Sequence, residues 1–201
     1  MDQVRILQQG HFDGFCLLYA IMNSFKSITE SNASAEYFSY KYSTEWKNII
    51  SITPSIHEFA NGNGSNFVNV NIKTELPLLD TFINTSFSIL TKKNEKQKIS
   101  AVRISRSEIS SLDFKSSAVI FCTKEKAKTE HTEGLDHWLC IVGKKNNKYL
   151  LACSYTSHCI NPCQYNEKLD RKTSRIYNNT INEEELNQIY KNAIYKIEFN
   201  Y

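Results

Sequence analysis

The sequence predicts an α+β fold: a helical N-terminal half built around one central helix, followed by an antiparallel sheet. Two observations carry this expectation. Phe15, Leu17, Leu18, Tyr19, Ile21, Met22, Phe25 and Ile28 cover most of the circumference of a helix over residues 13–28. A helix apolar nearly all round belongs inside a core. After residue 100 the apolar runs become short, β-branched and alternating, which is the pattern of strands. Helices first and strands afterwards is an α+β order.

The elements follow in chain order. Asp13 stands where it can cap the first helix. Looser helical patterns cover residues 33–42 and 45–52, and residues 61–66 are rich in Asn and Gly that tolerate positive φ. Residues 76–90 read as a helix with Leu78, Leu79, Phe82 and Ile83 on its apolar side. Strands are expected over 100–105, 117–123, 137–143, 148–153 and 194–199. Lys144-Lys145-Asn146-Asn147 joins two of them as a hairpin turn, with Asn where left-handed geometry is needed. Residues 124–134 are polar and mobile in character. Residues 180–191 read as a helix, with Asn182 as cap and Glu183, Glu184 and Glu185 in an acid-favoured first turn. No repeat or linker divides the chain, so a single domain over 1–201 is expected.

At 201 residues the chain can bury a core without disulfide staples. Its 41% hydrophobic and 22% charged content is ordinary for a globular protein. The net charge of +3 is small and spread out, so no nucleic-acid partner is expected. Lys92-Lys93 and Lys144-Lys145 read as solvated turn charges. No run approaches the roughly 20 apolar residues that span a bilayer, so no membrane partner is expected. Residues 1–7 lack the order of a secretory signal. The expected place is the cytosol, or outside the cell by a route that needs no cleaved signal.

The six cysteines are expected as reduced thiols, with Cys122 and Cys140 acting as small buried hydrophobes in strands. Cys153, His158, Cys159 and Cys163 are spaced Cys-x4-His-Cys-x3-Cys, without the paired Cys-x2-Cys knuckles of structural zinc. No metal is expected. No glycine-rich phosphate loop, paired-carboxylate motif or His-Glu-x-x-His occurs, and no cofactor is expected.

The chemistry-bearing segments are Gln8-Gln9-Gly10-His11-Phe12-Asp13-Gly14-Phe15-Cys16 and His137-Trp138-Leu139-Cys140-Ile141-Val142-Gly143. The first places a thiol where a polar turn becomes an apolar helix. First-turn N–H groups and the helix dipole favour the thiolate there. A histidine on a late strand supplies an imidazole base for such a nucleophile. His11, on the turn before Cys16, reads as solvent-exposed.

Glutamine, then a cysteine-headed helix, then a strand of the form His-Trp-Leu-Cys-Ile-Val-Gly resembles the papain-like cysteine peptidase superfamily. Within it the chain is most similar to the bacterial branch of C39-like peptidases and glutamine-deamidating effectors. The resemblance covers the two ends of the catalytic core and not the middle hundred or so residues. It implies a papain-like fold, with the Cys-bearing helix packed on the C-terminal sheet. It makes Cys16 the nucleophile and His137 the base, with Gln9 (or Gln8) and the Cys16 N–H as oxyanion donors. Trp138 is expected to shield the histidine.

Family members carry Asp or Asn sixteen or seventeen residues after the histidine, and this chain carries Cys153 and Ser154 there. Asp136 adjoins His137 but points to the opposite face of a strand. A Cys–His dyad is therefore expected, its ring oriented by Ser154 or by a backbone carbonyl. The implied activity is amide hydrolysis on a protein or peptide substrate, as protease or as glutamine deamidase. The alternative is a catalytically silent binding or inhibitor module on the same fold.

Overall fold

The computed structural model describes residues 4–9, 14–60, 76–92, 98–131, 136–155 and 167–200. His11, Asp13, residues 61–66, His158, Cys159 and Cys163 lie outside them. The architecture is α+β, with six α-helices among the described residues and one antiparallel sheet of six strands.

The central helix α1 spans Cys16–Thr29. It is followed by α2 (Ala35–Lys41), α3 (Ser43–Ile52), the short α4 (Ile56–Ala60) and α5 (Leu76–Thr91). The sheet comprises β1 (Lys98–Arg103), β2 (Ser117–Thr123), β3 (Trp138–Lys145), β4 (Lys148–Ala152), β7 (Asn179–Asn182) and β8 (Ile189–Asn200), ordered β1-β8-β2-β3-β4-β7. A separate ribbon pairs β5 (Lys168–Asp170) with β6 (Arg175–Tyr177). Asn146 has φ 55 in the β3–β4 turn, as its sequence position predicts. The helix α6 (Arg106–Ile109) begins in a Ser105–Glu108 capping box.

The helix expected over 180–191 does not form. Residues 179–182 are β7, Glu183–Gln188 make a 3-10 helix with Asn182 at its cap, and β8 starts at Ile189. The acidic turn signal is real but short. Pairing of β8 with both β1 and β2 then overrides helical propensity.

The sheet separates two apolar clusters. On one face Leu17, Leu18, Ile21 and Phe25 of α1 and Phe82, Ile83 and Phe87 of α5 pack over Ile120, Cys122, Trp138, Cys140 and Val142. On the other, Ile109 and Leu186 cover Val119, Phe121, Leu139, Ile141, Tyr149 and Leu151. Each fully buried large side chain is worth about 1.5–3 kcal/mol, so this two-sided burial carries the fold. The β1 edge is closed by Asn84 of α5, whose amide accepts from the Ala101 N–H and donates to its carbonyl, both at 3.1 Å. A side chain thereby occupies the place of a seventh strand. Among the described residues no helix is long and apolar enough to cross a membrane.

Lys26 is buried near the C-terminal end of α1, its ammonium donating to the carbonyls of Glu30 (3.3 Å) and Ser31 (2.9 Å). Burial lowers its pKa to about 8, against the raising influence of Glu167 and Glu30. Between pH 8 and the ordinary 10.5 the unfolded chain holds a proton that the folded chain has shed. Stability from this group therefore rises with pH across that window, and below it the buried charge is a cost. Lys26→Met removes the effect. Urea unfolding at pH 7 and pH 10 will show wild type gaining on the variant as pH rises; a constant difference would refute the assignment.

Candidate active site

Cys16 opens α1, and the turn before it is held from outside. Phe15 is the cap residue and gives no side-chain hydrogen bond. The Gly14 N–H donates to the Phe59 carbonyl of α4 at 2.7 Å, and the Phe15 and Phe59 rings stack at 6.5 Å. The first intrahelical bond runs from Tyr19 N–H to the Phe15 carbonyl. The N–H groups of Cys16, Leu17 and Leu18 thus precede any intrahelical acceptor and leave the positive end of α1 at the thiol.

Residues 4–9 form a strap laid across α1 and the sheet. The Glu167 carboxylate accepts from the Arg5 N–H at 2.9 Å and the Ile6 N–H at 2.7 Å. Buried Asn23 of α1 then clasps Leu7, accepting from its N–H and donating to its carbonyl, both at 2.9 Å. At the end of the strap the Gln9 N–H donates to the Ser154 carbonyl at 3.0 Å. The Ser154 hydroxyl donates to Gln9 Oε1 at 3.2 Å. Gln8 differs: its amide nitrogen is buried with no partner among the described residues.

His137 is set just before β3 by Thr123 at the end of β2. Thr123 donates to the His137 carbonyl through its N–H (2.9 Å) and its hydroxyl (3.0 Å), and the same hydroxyl accepts the His137 N–H at 3.2 Å. The imidazole is buried. Its Nε2 lies 3.9 Å from Cys153 Sγ, and the Tyr155 ring meets it edge-on at 5.6 Å. Cys153 is itself pinned by buried Asn178, which accepts from the Cys153 N–H at 2.8 Å and donates to its carbonyl at 2.9 Å.

The structure corrects several expectations. Ser154 does not orient the ring; its hydroxyl is committed to Gln9, and the thiol of Cys153 occupies the place beside Nε2. Trp138 does not shield the histidine. Strand alternation sends the indole into the helix-side core, 1% exposed, and Tyr155 covers the ring instead. Residues 124–131 are tied down: Lys124 N–H to the Gln188 carbonyl, Lys128 N–H to Glu185, and Glu130 N–H to the Thr180 carbonyl.

Cys16 and His137 lie at the same end of the sheet, but no hydrogen bond joins them among the described residues. Cys122 shares the helix-side cluster with Cys16. Burial holds the Cys122 thiol well above its ordinary range, Cys16 and then Asp136 push it further, and the His137 backbone N–H acts against them. Asp136 points to the face opposite the His137 ring, as expected, but that face is the helix side; it accepts the Tyr190 hydroxyl on both oxygens at 3.1 Å. Burial and that bond push Tyr190 up to about 12.

Thr123, Tyr155 and Asn178 were not legible as site residues, because each acts through a partner far away in sequence. No protein-family model matches the chain, and neither a curated protein nor a solved structure does.

Asn178→Ala removes both buried hydrogen bonds that it makes with the Cys153 backbone. The expected loss is about 2 kcal/mol in urea unfolding, from losing two buried hydrogen bonds. The His137 ring resonances should shift with it, and unchanged resonances would separate Asn178 from the site.

Proposed function

We propose that the chain is a papain-like thiol hydrolase that attacks an amide carbonyl through Cys16, with His137 as its base. The supporting observation is one continuous chain of contacts. Asn23, two turns beyond Cys16 on α1, holds Leu7; two residues on, Gln9 bonds Ser154; its neighbour Cys153 touches the ring of His137. These contacts link the helix that carries Cys16 to the glutamine and to the histidine's neighbour, which supports the reading.

In this reading Nε2 is engaged by Cys153, and Nδ1 takes the Cys16 thiol proton. The thiolate adds to the carbonyl carbon. The oxyanion accepts from the Cys16 N–H and from the amide of Gln9 or Gln8. The imidazolium then gives its proton to the departing amine, leaving a thioester. Water, deprotonated by His137, opens the thioester and frees the acid and the thiol. A main-chain amide gives proteolysis and a glutamine side chain gives deamidation.

A second reading, a catalytically silent binding module, is favoured by one observation. The ring's neighbour is a thiol rather than a carboxylate or amide, and the ring makes no hydrogen bond to Cys16 among the described residues.

Iodoacetamide labelling near neutral pH separates the two readings. An armed site predicts Cys16 labelled at least about tenfold faster than buried Cys122, with the excess lost in His137→Ala. Labelling at equal rates would reject catalysis. With a protein substrate, Cys16→Ala should lose all turnover, and mass spectrometry distinguishes chain cleavage from exchange of an amide NH2 for OH.

A further inference from the structure

The β3–β4 turn, at the other end of β3 from His137, separates two cavities. One, of about 460 Å³, is lined by Lys145, Lys148, Lys168, Glu130, Tyr177 and Thr180 among others. The second, of about 250 Å³, includes Lys115, Lys144, Lys172 and Asp113. Asn146, with its positive φ, lines both. Six lysines from separate stretches of the chain thus converge around one hairpin tip.

Their charge is only partly compensated. Lys144 is paired with Glu183 at 2.9 Å. Lys145, Lys148 and Lys168 make no ion pair among the described residues. The Glu130 carboxylate accepts the Thr180 hydroxyl at 3.0 Å and lies 3.9 Å from His131. Against the six lysines stand Asp113, Glu130, Glu183 and, in the ribbon turn beside Gly143, Asp170, which leaves an excess of two. A cluster of this sign attracts negative ligands.

The frame holding the lysines is rigid. Buried Arg175 of β6 donates to the carbonyls of Ser117 and, at 3.2 Å, Lys115, tying the β5–β6 ribbon to the entry of β2. The ribbon turn also packs on Gly143 of β3, where an added Cβ would stand 3.1 Å from Asp170 Oδ2.

We propose that this hairpin tip binds an acidic polypeptide segment, with carboxylates spaced along an otherwise neutral backbone. Each cavity also carries a carboxylate of its own, which repels a ligand charged at every unit, such as a phosphate chain. Among the described residues no arginine lines either cavity to grip phosphate bidentately, and Tyr177 and Phe114 form no stacking platform with one another across the turn. The amides of Asn146, Asn147 and Asn182 and the Thr180 hydroxyl suit a peptide backbone between its charges. β3, eight residues long, separates the turn from His137 by about 25 Å. The site is therefore distinct from the Cys16 site and stands whether or not Cys16 is catalytic.

The test is fluorescence anisotropy with a labelled peptide of alternating Glu and Ser. Wild type should bind it, more weakly as salt is raised, and Lys145→Glu, Lys148→Glu and Lys168→Glu combined should weaken binding at least about tenfold. Lys47→Glu, Lys98→Glu and Lys191→Glu combined make the same charge change at exposed positions elsewhere and should change it less than about threefold. Absence of wild-type binding, equal loss in both triple variants, or tighter binding of polyphosphate or single-stranded DNA would overturn the proposal. Lys148→Gln alone, at an exposed position, should give a smaller loss in the same direction, and no loss there would also count against it.

Discussion

The clasp between Asn23 and Leu7 is the contact on which the site end of this molecule depends. Asn23 sits in the middle of a helix whose other inward residues are mostly apolar, and an amide buried there without partners would cost about 1–3 kcal/mol. The cost vanishes because residue 7 presents one N–H and one carbonyl at the right spacing. Asn84 does the same for Ala101 and Asn178 for Cys153. In each case one side chain imitates a neighbouring strand and fixes backbone that the sheet itself does not reach. The first clasp joins the strap to α1, between its holds on Glu167 and on Ser154.

The pleat of β3 imposes a second constraint. Trp138 belongs to the helix-side cluster and Leu139 to the opposite one. Alternation therefore turns Asp136 toward Tyr190 and His137 toward Cys153. A histidine inside the strand would be shut away from α1 by the sheet. His137 precedes the first strand residue at the rim of the sheet, and its ring packs with Cys153 and Tyr155 of the cluster on the face away from α1. The double hold of Thr123 on its backbone fixes that rim position. A site built from a helix start and a strand start must for this reason lie at an end of the sheet.

Much of the fold was readable because burial is written into composition. An all-round apolar stretch could only be a central helix, and α1 is one. The β-branched runs of β2, β3 and β4 left little choice either. The acidic stretch after Asn182 misled because a cap followed by three glutamates fits a 3-10 turn as well as a helix. The residues from Ile189 onward take their conformation from pairing with β1 and β2, which come far earlier in the chain. The short ribbon of β5 and β6 has too few apolar residues to announce itself. At the candidate site the residue types of Cys16, His137 and Gln9 were enough to nominate them as candidates, but not to show which face of the sheet the His137 ring takes. Cys153 stands beside the ring, where the sequence predicts Ser154 or a backbone carbonyl, because on adjacent residues only the folded backbone decides which side chain meets the ring.

The same limit applies to charge. Lys144-Lys145 reads in sequence as an ordinary solvated turn, since its partners Lys115, Lys168 and Lys172 lie about twenty to thirty residues away along the chain. Folding brings them together through a buried guanidinium and a glycine, residues that carry no sign of a charged surface. A net charge of +3 spread over the chain would exert little field beyond a Debye length of about 8–10 Å. Lysines gathered at one hairpin tip make a local positive patch at the closed end of β3. Such a patch attracts an acidic partner before contact, and β3 sets how far the proposed contact lies from His137.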